Sequence, residues 1–128
     1  MGLGGGGLEG LTSKPASLTG LGIWKYRTEI AAPPASGQVR FNNVDPAAAT
    51  EMYIHETNQN GLDLANFFDL IAVDSILYLQ DRRNADNFFV IEVATNTDSG
   101  AYRTIVMDTI ILQGAEPSQN TDMALVVS

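Results

Sequence analysis

From Gly22 to the end of the chain, apolar and polar residues alternate in short runs, each cut by a cluster of glycine, proline, asparagine or aspartate. Alternation at period two places apolar side chains on one face of an extended strand, and the clusters supply turns, so the pattern demands an antiparallel β fold with polar faces outward. Seven strands are expected. The first, near 22–30, sets Trp24, Tyr26, Thr28 and Ile30 against Lys25, Arg27 and Glu29, until Pro33 and Pro34, which cannot donate to a ladder, end it. The second, near 38–42, turns Val39 and Phe41 inward, and the third, near 50–56, opposes Met52 and Ile54 to Tyr53 and His55. Asp45-Pro46 forms the turn between them, and Asn58 to Gly61 closes the unit. Further strands are expected at 75–81, 87–95, 102–112 and 123–127. Phe88, Phe89, Val90 and Ile91 are consecutive apolar residues, which predicts a central fifth strand covered on both faces, by the opposite sheet and by the helix or another subunit.

One helix interrupts the strands. Asp63 stands at its expected N-cap, and Leu64, Phe67, Phe68 and Ile71 follow at i, i+3, i+4 and i+7. A helix this brief does not persist alone, so its apolar stripe must lie on the sheet and close one end of it. The expected fold is all-β: an antiparallel β-sandwich or flattened barrel, or a jelly-roll variant of one, with a short helix and an extended N-terminal arm.

That arm is residues 1–20, and the β-domain is 21–128. The arm holds seven of the twelve glycines, and Leu3, Leu8, Leu11 and Leu18 follow neither strand nor helix period. Its glycines also miss the every-third-residue rule of a collagen triple helix. Ordering glycine costs more backbone entropy than ordering any other residue, so an ordered arm needs something to hold it. Neighbouring subunits, with Leu3, Leu8 and Leu11 as anchors, are the expected hold; an arm folded back on its own domain is the alternative.

Composition narrows the function. The chain has no cysteine, which removes disulfides, thiolate nucleophiles and thiolate metal sites together. A net charge of −8 repels a phosphate backbone, so nucleic acid is not expected as a partner. Apolar runs fall far short of a bilayer span, so membrane insertion is not expected, and the first residues do not read as a secretory signal.

Three elements after the aromatic strand (Gly22, Ile23, Trp24, Lys25, Tyr26) carry a resemblance. Gly37, Arg40, Asn42 and Asn43 form a G-x-x-R-x-N-N strand; Ala49, Thr50, Tyr53 and Ile54 an A-T-x-x-Y-I strand; Thr57, Gly61 and Asp63 a T-x-x-x-G-x-D turn. In this order they resemble the small β-domain of tailed-bacteriophage virion proteins found in and beside tail fibres. The resemblance implies a virion location and a non-enzymatic structural protein, a tail-fibre component or capsid decoration. It also implies partners that are other virion proteins and copies of the chain itself, as a homotrimer.

The residues themselves supply no catalytic set. His55 is the one histidine, and alternation sends neighbouring Glu56 to the opposite face. No nucleophile motif and no phosphate-cradling loop occurs, so no enzyme activity and no cofactor is expected. Asn58, Asn60 and Asp63 around Gly61 look like half a calcium loop, but one carboxylate is too little charge for a hard cation, and no metal is expected. Arg40, Asn42 and Asn43 are expected to act as a structural lock, tying backbone groups of the following loop. Trp24, Tyr53, Tyr78 and Tyr102 are core or interface aromatics, unless they share an exposed face, where Tyr53 and Tyr78 would contact sugar. The alternative function is therefore a carbohydrate-binding adhesion module for host surface glycan.

Overall fold

A computed structural model of the chain describes residues 21–128; the expected arm, with Leu3, Leu8 and Leu11, lies outside the described residues. The described strands are β1 (Ile23–Arg27), β2 (Gln38–Phe41), β3 (Glu51–His55), β4 (Ile76–Asp81), β5 (Phe88–Asp98), β6 (Tyr102–Gln113) and β7 (Asp122–Val127). A single-turn helix, α1 (Ala65–Phe68), precedes β4, and a 3-10 turn (Pro46–Ala48) links β2 to β3.

The strands close into one barrel in the order β1-β2-β3-β6-β5-β4-β7. The all-β class and the seven strands agree with the alternation, but the architecture is one closed barrel of mixed strand direction, not an antiparallel sandwich or jelly roll. β1 and β2 are parallel, with Lys25 opposite Gln38 and Arg27 opposite Arg40. The link between them, through Pro33 and Pro34, carries the chain back to the end at which β1 began, as a parallel neighbour requires. Alternation marks which face a residue takes and is blind to direction, which is why it missed this pair.

The inward faces of the strands are apolar except at Arg103 on β6, which is buried as well. Trp24, Tyr26, Val39, Phe41, Met52, Ile54, Leu77, Leu79, Phe89 and Ile91 are all buried. Phe41 and Phe89 meet with ring centroids 4.8 Å apart, and Tyr26 stacks on Phe89 at 6.0 Å. Fully burying a side chain of this size contributes about 1.5–3 kcal/mol. The first strand is shorter than expected: it ends at Arg27, so Thr28 and Ile30 are exposed beyond it.

α1 closes one end. Phe68 and Ile71 are buried, Leu64 and Phe67 pack against the core, and Phe68 meets Trp24 edge-on at 6.0 Å. The helix is a single turn and its N-cap is Leu64, not Asp63. Asp63 instead accepts a hydrogen bond from the Ala65 N–H at 2.9 Å, one residue out of register with a helix cap.

β5 and β6 form the longest pair, and extra residues shift their register. Glu92 pairs with Thr109 and Val93 with Met107, so Asp108 is an added residue in β6; Ala94 is likewise added in β5. Such bulges re-aim the side chains that follow. Arg103, Ile105 and Met107 face inward before the β6 bulge, Ile110 and Leu112 pack against the core after it, and Ile111 is left outside. β5 does lie between two strands, but α1 sits at the barrel end and does not cover it, so within one chain Phe88 and Val90 on its outer face are half-buried.

Candidate functional site

The barrel presents three polar constructions and one apolar face. The first construction holds α1. Arg103 projects inward from β6 and is 4% exposed; its Nε donates to Glu56 Oε2 at 2.7 Å, and its Nη2 donates to Asp69 Oδ1 at 2.6 Å and to the Ala65 carbonyl at 3.3 Å. Burial pulls the guanidinium pKa down, but the hydrogen bonds it donates to Asp69 and Glu56, with the attraction of their charges, outweigh it and the net shift is up. The guanidinium therefore stays charged, and its contacts tie the helix to the barrel. Asn96 adds to this, its Nδ2 donating to the carbonyls of Phe68 at 2.7 Å and Ile71 at 3.1 Å.

The second construction is the expected lock. Asn42 Oδ1 accepts from the N–H groups of Thr50 at 2.9 Å and Glu51 at 3.1 Å, and its Nδ2 donates to Thr50 Oγ1 at 2.9 Å. Asn43 Oδ1 accepts from the Asp45 N–H, and Asp45 Oδ1 from the Ala47 N–H, which shapes the 3-10 turn. Arg40 acts on the opposite side, with Nη1 donating to the Ala31 carbonyl at 3.0 Å and Nη2 to Gln38 Oε1 at 2.9 Å. The asparagines thus hold the β2–β3 connection while Arg40 holds the β1–β2 link. Arg40 Nε has no hydrogen-bond partner among the described residues.

Asn58, which the sequence marked as the start of a turn and as part of a half calcium loop, is a related node. It is 3% exposed; Nδ2 donates to the Leu21 carbonyl at 2.9 Å, and Oδ1 accepts from the N–H groups of Asn60 and Leu62, each at 3.0 Å. Its oxygen is thus turned into its own loop. Among the described residues no group of three His, Asp or Glu side chains is placed to hold a metal ion. His55 Nδ1 accepts from the Thr57 N–H at 3.0 Å, and its carbonyl accepts from Trp24 Nε1 at 2.8 Å.

The third construction is a polar pocket of about 440 Å³ lined by Lys25, Asp81, Arg83, Asn120, Thr121 and Asp122, among others. Lys25 pairs with Asp122 at 3.2 Å, and Asn120 adopts a left-handed backbone with φ of 67°.

The four aromatics do not all share one face. Trp24 is fully buried in the core. Tyr53 on β3 meets Tyr102 on β6 edge-on at 6.3 Å, and its hydroxyl donates to Glu51 Oε1 at 2.9 Å. Burial first, and then that carboxylate, raises the Tyr53 phenol to about 12. Tyr78 stands apart on β4.

Around Tyr78 lies the apolar face. Tyr78 pairs with Val126 on β7 and Val90 on β5, and Val90 pairs with Ile111 on β6, so four outward apolar side chains form one row across four strands. Tyr78 is 37% exposed and Ile111 54%. A shallow groove of about 320 Å³ runs beside Tyr78, lined also by Gln80, Ala85, Phe88 and Val126. Sequence reasoning singled out Tyr78 and the apolar run Phe88 to Ile91 but did not join them to Ile111, because the β6 bulge decides that Ile111 faces out. Comparison with protein-family models, with curated proteins and with solved structures gives no match to this chain.

Proposed function

We propose that this chain is a non-enzymatic structural component of a bacteriophage virion, a tail-fibre part or capsid decoration. It assembles with its own copies, as a homotrimer, through the N-terminal segment, and projects the barrel outward. One observation carries the reading: the residues of the phage-like motif do architectural work. Asn42 and Asn43 fasten the β2–β3 connection, Ala49 and Ile54 are buried, and Gly37 and Gly61 take φ of 76° and 83° at the turns. A motif spent on holding a rigid barrel suits a part that bears load and repeats, and the resemblance supplies the particle.

Recovery of barrel peptides by mass spectrometry, in the copy number of a structural part, from purified particles of the phage encoding the chain is the expected result. Their absence from particles, with the protein free in the lysate, would overturn it.

A second reading, the carbohydrate-binding adhesion module, is favoured by the polar pocket. Its volume lies within the ~300–1,000 Å³ of small-ligand sites, and its amide, hydroxyl and carboxylate groups suit a polyhydroxylated ligand. Glycan-array binding lost on Asp122→Ala or Asn120→Ala would select it. Loss on Tyr53→Ala or Tyr78→Ala would instead place the sugar on an aromatic face.

A further inference from the structure

The row formed by Val126, Tyr78, Val90 and Ile111 is not an isolated apolar streak. In the next row along the strands Gln80 pairs with Ala124 and Phe88, and Phe88 pairs with Gln113, so two adjacent rows across four strands hold no charged side chain. The rest of the barrel is strongly acidic. Glu9 and Lys14 cancel in the N-terminal segment, so the whole net charge of −8 belongs to residues 21–128. A contiguous uncharged and mostly apolar face on such a body marks an interaction surface.

Resting on the assembly reading above, we propose that this face seats the N-terminal segment, residues 2–18, of a neighbouring copy, with Leu3, Leu8 and Leu11 as the side chains that enter it. Three observations choose this occupant. The barrel is closed, so every strand has a neighbour on both sides and no whole strand is left as an edge for another chain to extend, which favours docking on a face. A second barrel laid on the face would bring −8 against −8, whereas the segment brings no net charge with its leucines. The segment joins the barrel at Leu21, whose carbonyl Asn58 holds, and the next strand pairs Ile23 with Ala124 on β7, the strand that carries Val126. Twenty residues reach at most about 65–70 Å when extended, far more than the ~15 Å across four strands, so the segment can pass from one barrel to the next.

The exposed apolar residues around α1 make a poorer seat. Leu62, Leu70 and Val73 surround α1, but Asp63, Asp69 and Asp74 follow or precede them directly in the chain, all three exposed. Apolar contact there would bury carboxylates with it.

The absence of native cysteine makes the test direct. Full-length chains carrying Leu3→Cys, Leu8→Cys or Leu11→Cys are each mixed with a size-tagged full-length Ile111→Cys chain under mild oxidation, and Leu70→Cys serves as the control partner. Mixed disulfide dimers with Ile111→Cys, at least tenfold over those with Leu70→Cys, are the expected result for at least one leucine position. Equal yields from the two partners overturn the seat. The molar mass of the unmodified chain is measured alongside. An oligomer without preferential cross-linking overturns the seat and leaves the assembly reading standing, whereas a monomer, including one whose segment folds on its own barrel, overturns both. An Ile111→Asp chain that keeps its melting temperature is expected to lose the oligomer, and unchanged assembly in that folded variant also counts against the seat.

Discussion

Arg103 Nε donates to Glu56 Oε2 across 2.7 Å, with the two residues only 4% and 8% exposed, so a buried ion pair joins β6 to the loop that leads into α1. Removing one member of such a pair leaves the other charge uncompensated in the interior, which costs about 3–5 kcal/mol. Arg103→Ala is expected to lower unfolding stability by that amount in a urea titration. Arg103→Met combined with Glu56→Leu is expected to recover most of it, because no buried charge is then left alone and Asp69, the other partner of Arg103, is exposed. Equal loss in the single and double variants would show that the pair is not what matters at this site.

Gly22 and Asn58 are coupled. Gly22 has φ of 105°, a conformation L side chains rarely adopt, and a Cβ built there would overlap the Asn58 amide. Gly22→Ala is expected to cost about 1–3 kcal/mol from backbone strain alone, with the overlap adding to it. In an Asn58→Ala background the overlap disappears and the strain remains, so the second Gly22→Ala penalty should be smaller than the first. A double-mutant cycle checks this, and strict additivity would contradict the contact.

Asn42 saturates the Thr50 and Glu51 N–H groups with one oxygen, so Asn42→Ala releases both at once. The expected loss is about 1–3 kcal/mol, against about 0.5–1.5 kcal/mol for Asn43→Ala, which releases only the Asp45 N–H at an exposed turn. Thermal melts of the two variants should rank in that order.

Alkaline pH should loosen the barrel. Burial and the Glu51 carboxylate raise the Tyr53 phenol from 10.0 to about 12, and burial with the Glu116 carboxylate also moves Tyr26 up. Below pH 10 both folded and unfolded chains keep these protons, and the phenols' contribution is complete. Between about pH 10 and 12 the unfolded chain loses protons that the folded chain retains, so stability falls as pH rises. Melting temperature should drop across that window, and Tyr53→Phe should flatten part of the drop. An unchanged slope in Tyr53→Phe would remove Tyr53 from the account.

The strands were legible in the sequence because alternation is a local signal. Val39 and Phe41, Met52 and Ile54, and Met123, Leu125 and Val127 are buried as their parity requires. The parallel β1–β2 pair and the barrel's closure were not legible, since they depend on where chain segments return. Arg103 shares the parity of Ile105 and Met107, so the signal for an inward charge was present. Its meaning needed Glu56 and Asp69, which are distant in sequence and brought together only by closure of the end. The uncharged face was illegible for a different reason: the added residue Asp108 reverses which of Ile110, Ile111 and Leu112 faces out.

The central claim is that the acidic barrel acts by assembling through its N-terminal segment. Light scattering on the intact chain and on a variant lacking residues 2–18, at equal concentration and physiological salt, tests it most directly. The account predicts a discrete oligomer for the intact chain and a monomer for the variant, near the 13.7 kDa of one chain less the deleted residues. An intact chain that stays at 13.7 kDa over the whole concentration range would contradict it.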